Sequence, residues 1–231
     1  MDIDIQDIII AIDGYSSTGK SSFAKRIAHS LGFVYLDSGA LYRGVTLLVL
    51  ENGWHEGERI DTEKLEPALK TLDLHFENHG DKTRTYMGDR CIERQIRSMR
   101  VSALVSPVAA LACVRAYVDA RLHDLARNRR VVMDGRDIGT TVFPDAELKI
   151  FMVADQKVRA QRRMDELVAK GEDVSFDEIL ANLQRRDYID SHRAASPLRQ
   201  APDAIVLDNT NMTFEQQMAW LETILRERFA R

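Results

Sequence analysis

An unbroken apolar run, Ile8-Ile9-Ile10-Ala11-Ile12, stops at Asp13. A run this short, without polar alternation, predicts a strand buried on both faces. Phe23, Ala24, Ile27, Ala28 and Leu31 then recur at helical spacing, and Phe33 to Leu36 reads as a second short strand ending in Asp37. Leu41, Val45, Leu48 and Val49 mark the inward face of a second helix, with Ser38 placed to cap it. Strand, helix, strand, helix in that order calls for a parallel sheet covered by helices. Parallel strands place ligands at their carboxyl ends, so Asp37, Ser38, Tyr42 and Arg43 are expected on the same rim as the segment that follows the first strand.

From Gly53 to about Ser98 the pattern changes. Asp61 to Leu72 reads as helix, and Asp73 to Glu77 and Thr83 to Gly88 read as strands around a polar Asn78-His79-Gly80-Asp81 turn, which predicts an inserted subdomain. A long helix is expected from Val101 to Arg127 on the spacing of Leu104, Val108, Leu111, Val114, Val118, Leu122 and Leu125, with Pro107 as a kink or a break. Arg130 to Met133 is a buried strand running into Asp134-Gly135-Arg136-Asp137, and Leu148 to Val153 is another after the Phe143-Pro144-Asp145 turn. Asp155 opens an arginine-rich helix that Gly171 interrupts. Ser175-x-x-Glu178 and Thr213-x-x-Gln216 are capping boxes for two more helices, with a last strand, Ala204 to Leu207, between them.

The segment after the first strand changes this picture from scaffold to site. Gly14-Tyr15-Ser16-Ser17-Thr18-Gly19-Lys20-Ser21, with Ser22 following, is a phosphate-binding loop signature in the strand-to-helix context the motif requires. Gly14 and Gly19 let backbone N–H groups wrap close to anionic oxygens, Lys20 supplies a point charge, and Ser21 offers a hydroxyl at the usual Mg²⁺ position. The expected ligand is a nucleotide phosphate, with Mg²⁺ as its companion.

Composition narrows the partners. The 231 residues suit one sizeable domain, and 45% apolar with 29% charged residues is ordinary globular usage. A formal charge of −4 argues against a general nucleic-acid binder. Cys91 and Cys113 form no CxxC pair and the six histidines show no ligand spacing, which disfavours a disulfide framework or a zinc site. The acidic MDIDIQDIII stretch does not resemble a secretory signal, and no apolar run reaches membrane-spanning length, so a cytoplasmic protein that is a monomer by default is expected.

The arginines form the second informative set: Tyr42-Arg43, Arg115, Arg136 beside Asp137, and Arg186, Asp190 and Arg193 at i, i+4 and i+7 on one helix face. Phosphoryl transfer asks for two phosphate-bearing molecules held in line and for charge compensation, and guanidinium groups supply both. Arg159, Arg162 and Arg163 are nearest to an ordinary solvated helix face. Asp134, beside the phosphate loop, either helps Ser21 hold Mg²⁺ or fixes the turn that follows it.

Together these residues resemble the bacterial cytidylate kinases, a nucleoside monophosphate kinase family. The resemblance is carried by the phosphate loop, Tyr35-Leu36-Asp37-Ser38-Gly39-Ala40-Leu41-Tyr42-Arg43, Asp134-Gly135-Arg136-Asp137-Ile138-Gly139, Val142-Phe143-Pro144-Asp145-Ala146, and Arg186-Asp187 through Asp190 and Arg193 to Ser196-Pro197-Leu198. It implies an α/β P-loop kinase fold: a single kinase domain over 1–231 with a core of 1–52, 101–154 and 200–231, a monophosphate-binding insert at 53–100, and a helical lid with its adjoining helix at 155–199. It also implies that Arg43, Arg136 and Arg193 hold the acceptor phosphate, that Ser106, Arg115 and Asp137 read the cytosine edge, that Arg186 and Asp190 meet the ribose, and that Lys20, Arg136 and Arg193 act on the transferred group. Arg159, Arg162 and Arg163 become lid candidates. The chain departs from the family in Tyr15, usually proline, and in Ser21, where many members carry glycine. The implied reaction is transfer of the ATP γ-phosphate to CMP or dCMP. The rivals are another small-acceptor kinase, acting on UMP or a metabolite, and a nucleotide-binding switch, against which no Asn-Lys-x-Asp guanine-reading stretch occurs.

Overall fold

The structure is a computed structural model that describes residues 5, 7–79, 82–127 and 130–229. Gly80 and Asp81 of the expected hairpin turn, and residues 1–4 and 6 of the acidic N-terminal stretch, lie outside the described residues. The chain opens with β1 (Ile9–Gly14), α1 (Lys20–Leu31), β2 (Val34–Asp37) and α2 (Ser38–Asn52). Two-residue strands β3 (His55–Glu56) and β4 (Arg59–Ile60) follow, then α3 (Thr62–Leu69), β5 (Leu74–His79), β6 (Lys82–Met87), β7 (Arg90–Cys91) and a 3₁₀ turn at Gln95–Arg97. Next come α4 (Met99–Ala109), α5 (Ala112–Leu125), β8 (Val131–Gly135) and a π turn at Ile138–Val142. The chain continues through β9 (Leu148–Val153), α6 (Gln156–Val168), α7 (Phe176–His192), β10 (Ile205–Asp208) and α8 (Phe214–Phe229).

These elements group into two compact units: one takes the described residues up to Leu36, Leu125–His192 and those from Ser196 onward, the other Asp37–Asp124 and Arg193–Ala195. The first unit is built on a sheet ordered β10-β9-β1-β8-β2. Its central strand, β1, is buried along its whole length and pairs in parallel with β8 on one side and β9 on the other. That is why its sequence shows no alternation: both faces are covered, and the α1 residues Phe23 and Ile27 pack with Ile10, Ile12, Ile150 and the α8 residues Leu221 and Leu225. The register sets Asp13 opposite Gly135 and Gly14 opposite Met152, so the carboxyl ends of three strands meet at one edge. Both capping boxes form. Ser175 Oγ accepts from Glu178 N while Glu178 reaches back to Ser175 N, and Thr213 and Gln216 repeat the exchange.

The second unit holds α2, α3, α4, the antiparallel β5-β6-β7 sheet and most of α5. The β5–β6 pairing runs from Leu74 opposite Met87 to His79 opposite Lys82. Two expectations change here. The cap of α2 is Asp37, not Ser38: Asp37 keeps extended backbone and its Oδ1 accepts from Ala40 N at 2.9 Å, while Ser38 is already helical. The expected Val101–Arg127 helix is two helices bent by 99° across a break at 110–111. Pro107 lies in the last turn of α4, where its missing N–H weakens the ladder just ahead of the break. No single helix among the described residues is long and apolar enough to cross a membrane.

Candidate functional site

In the first unit the site begins where β1 ends. Gly14 has φ +146°, and a Cβ there would lie 2.1 Å from the Met152 carbonyl oxygen, so adjacency to β9 admits only glycine. The loop then turns through Ser17 at φ 59° and Gly19 at φ 92° into α1. Lys20 is buried and folds back across the loop, with Nζ donating to Tyr15 O at 2.5 Å and to Thr18 Oγ1 at 3.3 Å. Burial, and next the nearby Arg136 charge, hold the Lys20 ammonium well below its ordinary pKa, against the pull of Asp134 and Asp13.

Ser21 Oγ donates to Asp134 Oδ2 at 2.9 Å, and Tyr35 Oη donates to Asp134 Oδ1 at 2.7 Å. Sequence reasoning left Asp134 between a metal role and a turn-fixing role; its carboxylate meets the loop hydroxyl. One hydroxyl and one carboxylate are a suitable donor set for Mg²⁺, a hard cation that keeps most of its waters and takes the remainder from phosphates. Among the described residues no group of three or more His, Cys, Asp or Glu could hold a metal independently.

The turn after β8 is held from elsewhere. Asp13, absent from the sequence-derived site, is buried, and its two oxygens accept from Ile138 N at 2.8 Å and Gly139 N at 2.7 Å. Burial pushes its carboxyl up to about 6, with Asp137 adding to the rise and the two N–H groups and Lys20 opposing it. Asp137 itself is buried at the start of the π turn. Arg136 donates from Nε to Asp190 Oδ2 at 2.9 Å and from Nη2 to Ser16 Oγ at 2.9 Å. Burial works against its charge, but Asp190 and then Asp187 outweigh that and raise its pKa. Arg186 adds to the positive field at Lys20.

The three α6 arginines separate. Arg159, expected on a solvated face, is buried: Nη1 donates to Ser16 O at 3.1 Å and pairs with Asp187 at 2.8 Å, and the guanidinium lies 5.3 Å from the Tyr15 ring centroid. Arg162 donates to Asn209 Oδ1 and O, and Asn209 in turn donates to Thr18 O. Arg163 pairs with Glu166 one turn along its own helix. Lys20, Ser21, Asp134, Arg136, Asp190 and Arg159 are thus gathered around one loop. Asp187 and Asn209 were missed because nothing in their local pattern distinguishes them from surface polar residues.

In the second unit Arg43 Nη2 pairs with Asp37 Oδ2 at 2.8 Å, and Arg97, which no periodicity singles out, pairs with the same oxygen at 3.0 Å. Tyr42 and Arg115 form another cluster with Asp119: Tyr42 Oη donates at 3.5 Å, Arg115 Nη2 lies at 3.9 Å, and the Arg115 guanidinium sits 5.5 Å from the Tyr42 ring centroid. Arg115 also donates to Ala109 O at 3.4 Å, tying α5 across the break to α4, where Ser106 is buried. Burial raises the Asp119 carboxyl, while Arg115, His123 and Arg193 act in the opposite direction. Ser38 is buried at the start of α2.

Residues 10–227 match the family model for cytidylate kinase. The chain is 52% identical over 219 residues to a cytidylate kinase of Bacteroides thetaiotaomicron, covering 94% of this chain and 96% of the relative. It is 50% identical over 219 residues to a cytidylate kinase of Parabacteroides distasonis, with the same coverages. Against a cytidylate kinase of Porphyromonas gingivalis it is 51% identical over 218 residues, covering 93% and 94%. With its P-loop at the carboxyl edge of a parallel sheet and this identity along nearly its whole length, the chain belongs to the cytidylate kinase family.

Proposed function

We propose that the chain transfers the γ-phosphoryl group of ATP to CMP or dCMP, giving ADP and CDP or dCDP. The observation that carries this reading is the gathering of Lys20, the Ser21–Asp134 pair and Arg136 around one phosphate loop, in a chain of this family. An oxygen of the acceptor phosphate attacks the γ-phosphorus and the β–γ bridging oxygen leaves with ADP, so no covalent enzyme intermediate is needed. Lys20 and the loop N–H groups of Gly14 to Ser22 bind the donor phosphates and stabilise charge on the moving group. Ser21 and Asp134 are the residues that would hold Mg²⁺, which neutralises donor phosphate charge when bound.

In the same reading Arg43, Arg136 and Arg193 hold the acceptor phosphate, Arg186 and Asp190 take the ribose, and Ser106, Arg115 and Asp137 read the base, with Ser38 and Tyr42 beside them. Asp137 accepts from the cytosine amino group and Arg115 donates to the ring acceptors; uracil reverses the first polarity and is disfavoured. Residues 53–100 serve as the monophosphate-binding insert and 155–199 as the lid region, with Arg159, Arg162 and Arg163 joining the donor phosphates on closure and excluding water, the competing acceptor.

The test is a coupled ADP-release assay with ATP and each of CMP, UMP, AMP and GMP. CMP is expected to be preferred strongly; equal or better turnover of UMP or AMP overturns the specificity, and ATP binding without acceptor-dependent ADP release overturns the kinase reading. Arg136→Ala is expected to cost CMP use severely while ATP still binds.

A further inference from the structure

The second unit contains a chain of charged contacts that no step above uses. On β6, Thr85 donates from its backbone N at 3.2 Å and from Oγ1 at 2.8 Å to Glu93 Oε2. The other Glu93 oxygen accepts from Arg97 Nε at 2.8 Å, and Arg97 Nη2 spans on to Asp37 Oδ2. That same oxygen holds Arg43 Nη2, while Asp37 Oδ1 is fixed by the N-terminus of α2. The arrangement is a built one: Thr85 is buried, and at Gly39 a Cβ would come within 2.8 Å of Arg43 Nη1 and 3.2 Å of Asp37 Oδ1, so any larger residue there would push the Arg43 guanidinium off its carboxylate.

We infer that Arg97 is a positioning residue for Arg43, and that the Thr85–Glu93–Arg97–Asp37 relay is how the β5-β6-β7 sheet sets the orientation of the guanidinium that receives the acceptor phosphate. The inference rests on the reading of Arg43 as an acceptor-phosphate ligand. Its physical basis is the rigidity of the guanidinium fork. Arg97 is long enough, and has donors enough, to bind Glu93 and Asp37 at once, and a carboxylate gripped from both sides offers Arg43 a fixed direction instead of a rotating one. Burial opposes the Arg97 charge, and Asp37 and Glu93 outweigh it and hold its pKa above the ordinary value, so the guanidinium at the centre of the relay keeps its proton. The insert is then more than a cover for bound nucleotide: its sheet fixes a residue that touches substrate.

The experiment is a double-mutant cycle in steady-state kinetics on the full chain, with CMP and ATP varied separately. Arg97→Ala is expected to raise KM for CMP about tenfold, the effect of losing a charged hydrogen bond. KM for ATP and kcat should stay within about twofold. In an Arg43→Ala background the added Arg97→Ala should change KM for CMP by less than about twofold, because the group it orients is gone. Arg97→Lys should recover little, since one ammonium cannot span both carboxylates. Glu93→Gln, which keeps size and loses charge, carries the test if Arg97→Ala does not fold, with a rise of about threefold expected. An unchanged KM for CMP in Arg97→Ala, or the same factor in both backgrounds, overturns the relay alone. An Arg43→Ala variant with wild-type KM for CMP overturns the acceptor-phosphate reading instead.

Discussion

The ends of β2 and β8 each lead into an Asp-x-Gly segment, Asp37-Ser38-Gly39 opening the first turn of α2 and Asp137-Ile138-Gly139 opening the π turn, and they secure those turns in opposite ways. At the end of β2, Asp37 accepts from Ala40 N, three residues ahead of it. The turn is held by its own segment. After β8 the residue in the equivalent place, Asp137, makes no side-chain cap, and the N–H groups of Ile138 and Gly139 bond to Asp13, 125 and 126 residues earlier in the chain. That contact exists only once β1 lies beside β8 with Asp13 opposite Gly135. A local cap forms with its helix, whereas the distant one forms only with the assembled sheet, and it requires a carboxylate in a buried place.

The largest effect is therefore expected at Asp13. Asp13→Asn keeps shape but replaces one of two accepting oxygens with a donor facing a donor, leaving a buried N–H unsatisfied at a cost of about 2 kcal/mol. Because the displaced turn carries Asp137 and follows Arg136, kcat/KM for CMP should fall on the order of 100-fold. The stability gap should also depend on pH. The Asp13 carboxyl is raised from 3.8 to about 6, so across that window the folded chain holds a proton that the unfolded chain has released. Wild-type stability from this group accordingly falls as pH rises from about 4 to about 6 and is flat above, while the asparagine variant lacks that slope. Urea melts at several pH values should show the gap widest near the acid end and narrowing toward neutrality; a gap that does not vary with pH would mean that Asp13 is ionised throughout.

At Asp37 two substitutions separate the local cap from the ion pairs. Asp37→Ala removes both, and Asp37→Ser keeps an oxygen that caps α2 but removes the carboxylate that Arg43 and Arg97 share. The serine variant should melt as more stable than the alanine variant by about 1 kcal/mol, the ordinary worth of an N-cap. Both should raise KM for CMP by the same factor. Equal stability of the two variants would show that Asp37 matters only through its charge and would dissolve the contrast between the two strand ends.

That contrast also explains what was legible in the sequence. The strands of the parallel sheet, the capping boxes and the phosphate loop are written in residues a few positions apart, and they form within two residues of where they are expected. The short strands β3, β4 and β7 carry no such signal, and β5 runs on through Asn78 and His79, expected in the turn. The α2 cap was displaced by one residue because Asp37 and Ser38 are both good caps, and only the extended backbone reaching through Asp37 decides between them. Asp13 reads simply as the polar end of an apolar run; its partners follow from the strand order β9-β1-β8, which no local pattern contains. Arg159 and Arg163 are four apart on α6 and look alike in sequence, yet one lies buried against Ser16 and Asp187 while the other pairs with Glu166 along its own helix. Arg97 sits in a 3₁₀ turn too short to show periodicity.

The smallest effect is expected at Tyr35, and it tests whether the strand ends divide their work. Tyr35 donates to Asp134 Oδ1, leaving Oδ2 to Ser21, so two segments distant in sequence orient the carboxylate from both sides, as Arg97 and Arg43 converge on Asp37. Tyr35→Phe removes one hydrogen bond to a charged group and keeps the ring, which should lower stability by about 1 kcal/mol and Tm by roughly 2–4 °C for a chain of this size. With the Ser21 hydroxyl still on Oδ2, Asp134 stays anchored, so the Mg²⁺ concentration for half-maximal activity should rise only about twofold to threefold. KM for CMP should not move, because the Asp37 relay is intact in this variant. If Tyr35→Phe instead raised KM for CMP and left the Mg²⁺ requirement alone, Asp134 would belong with the acceptor, and the assignment of donor chemistry to the Ser21–Asp134 pair would have to be given up.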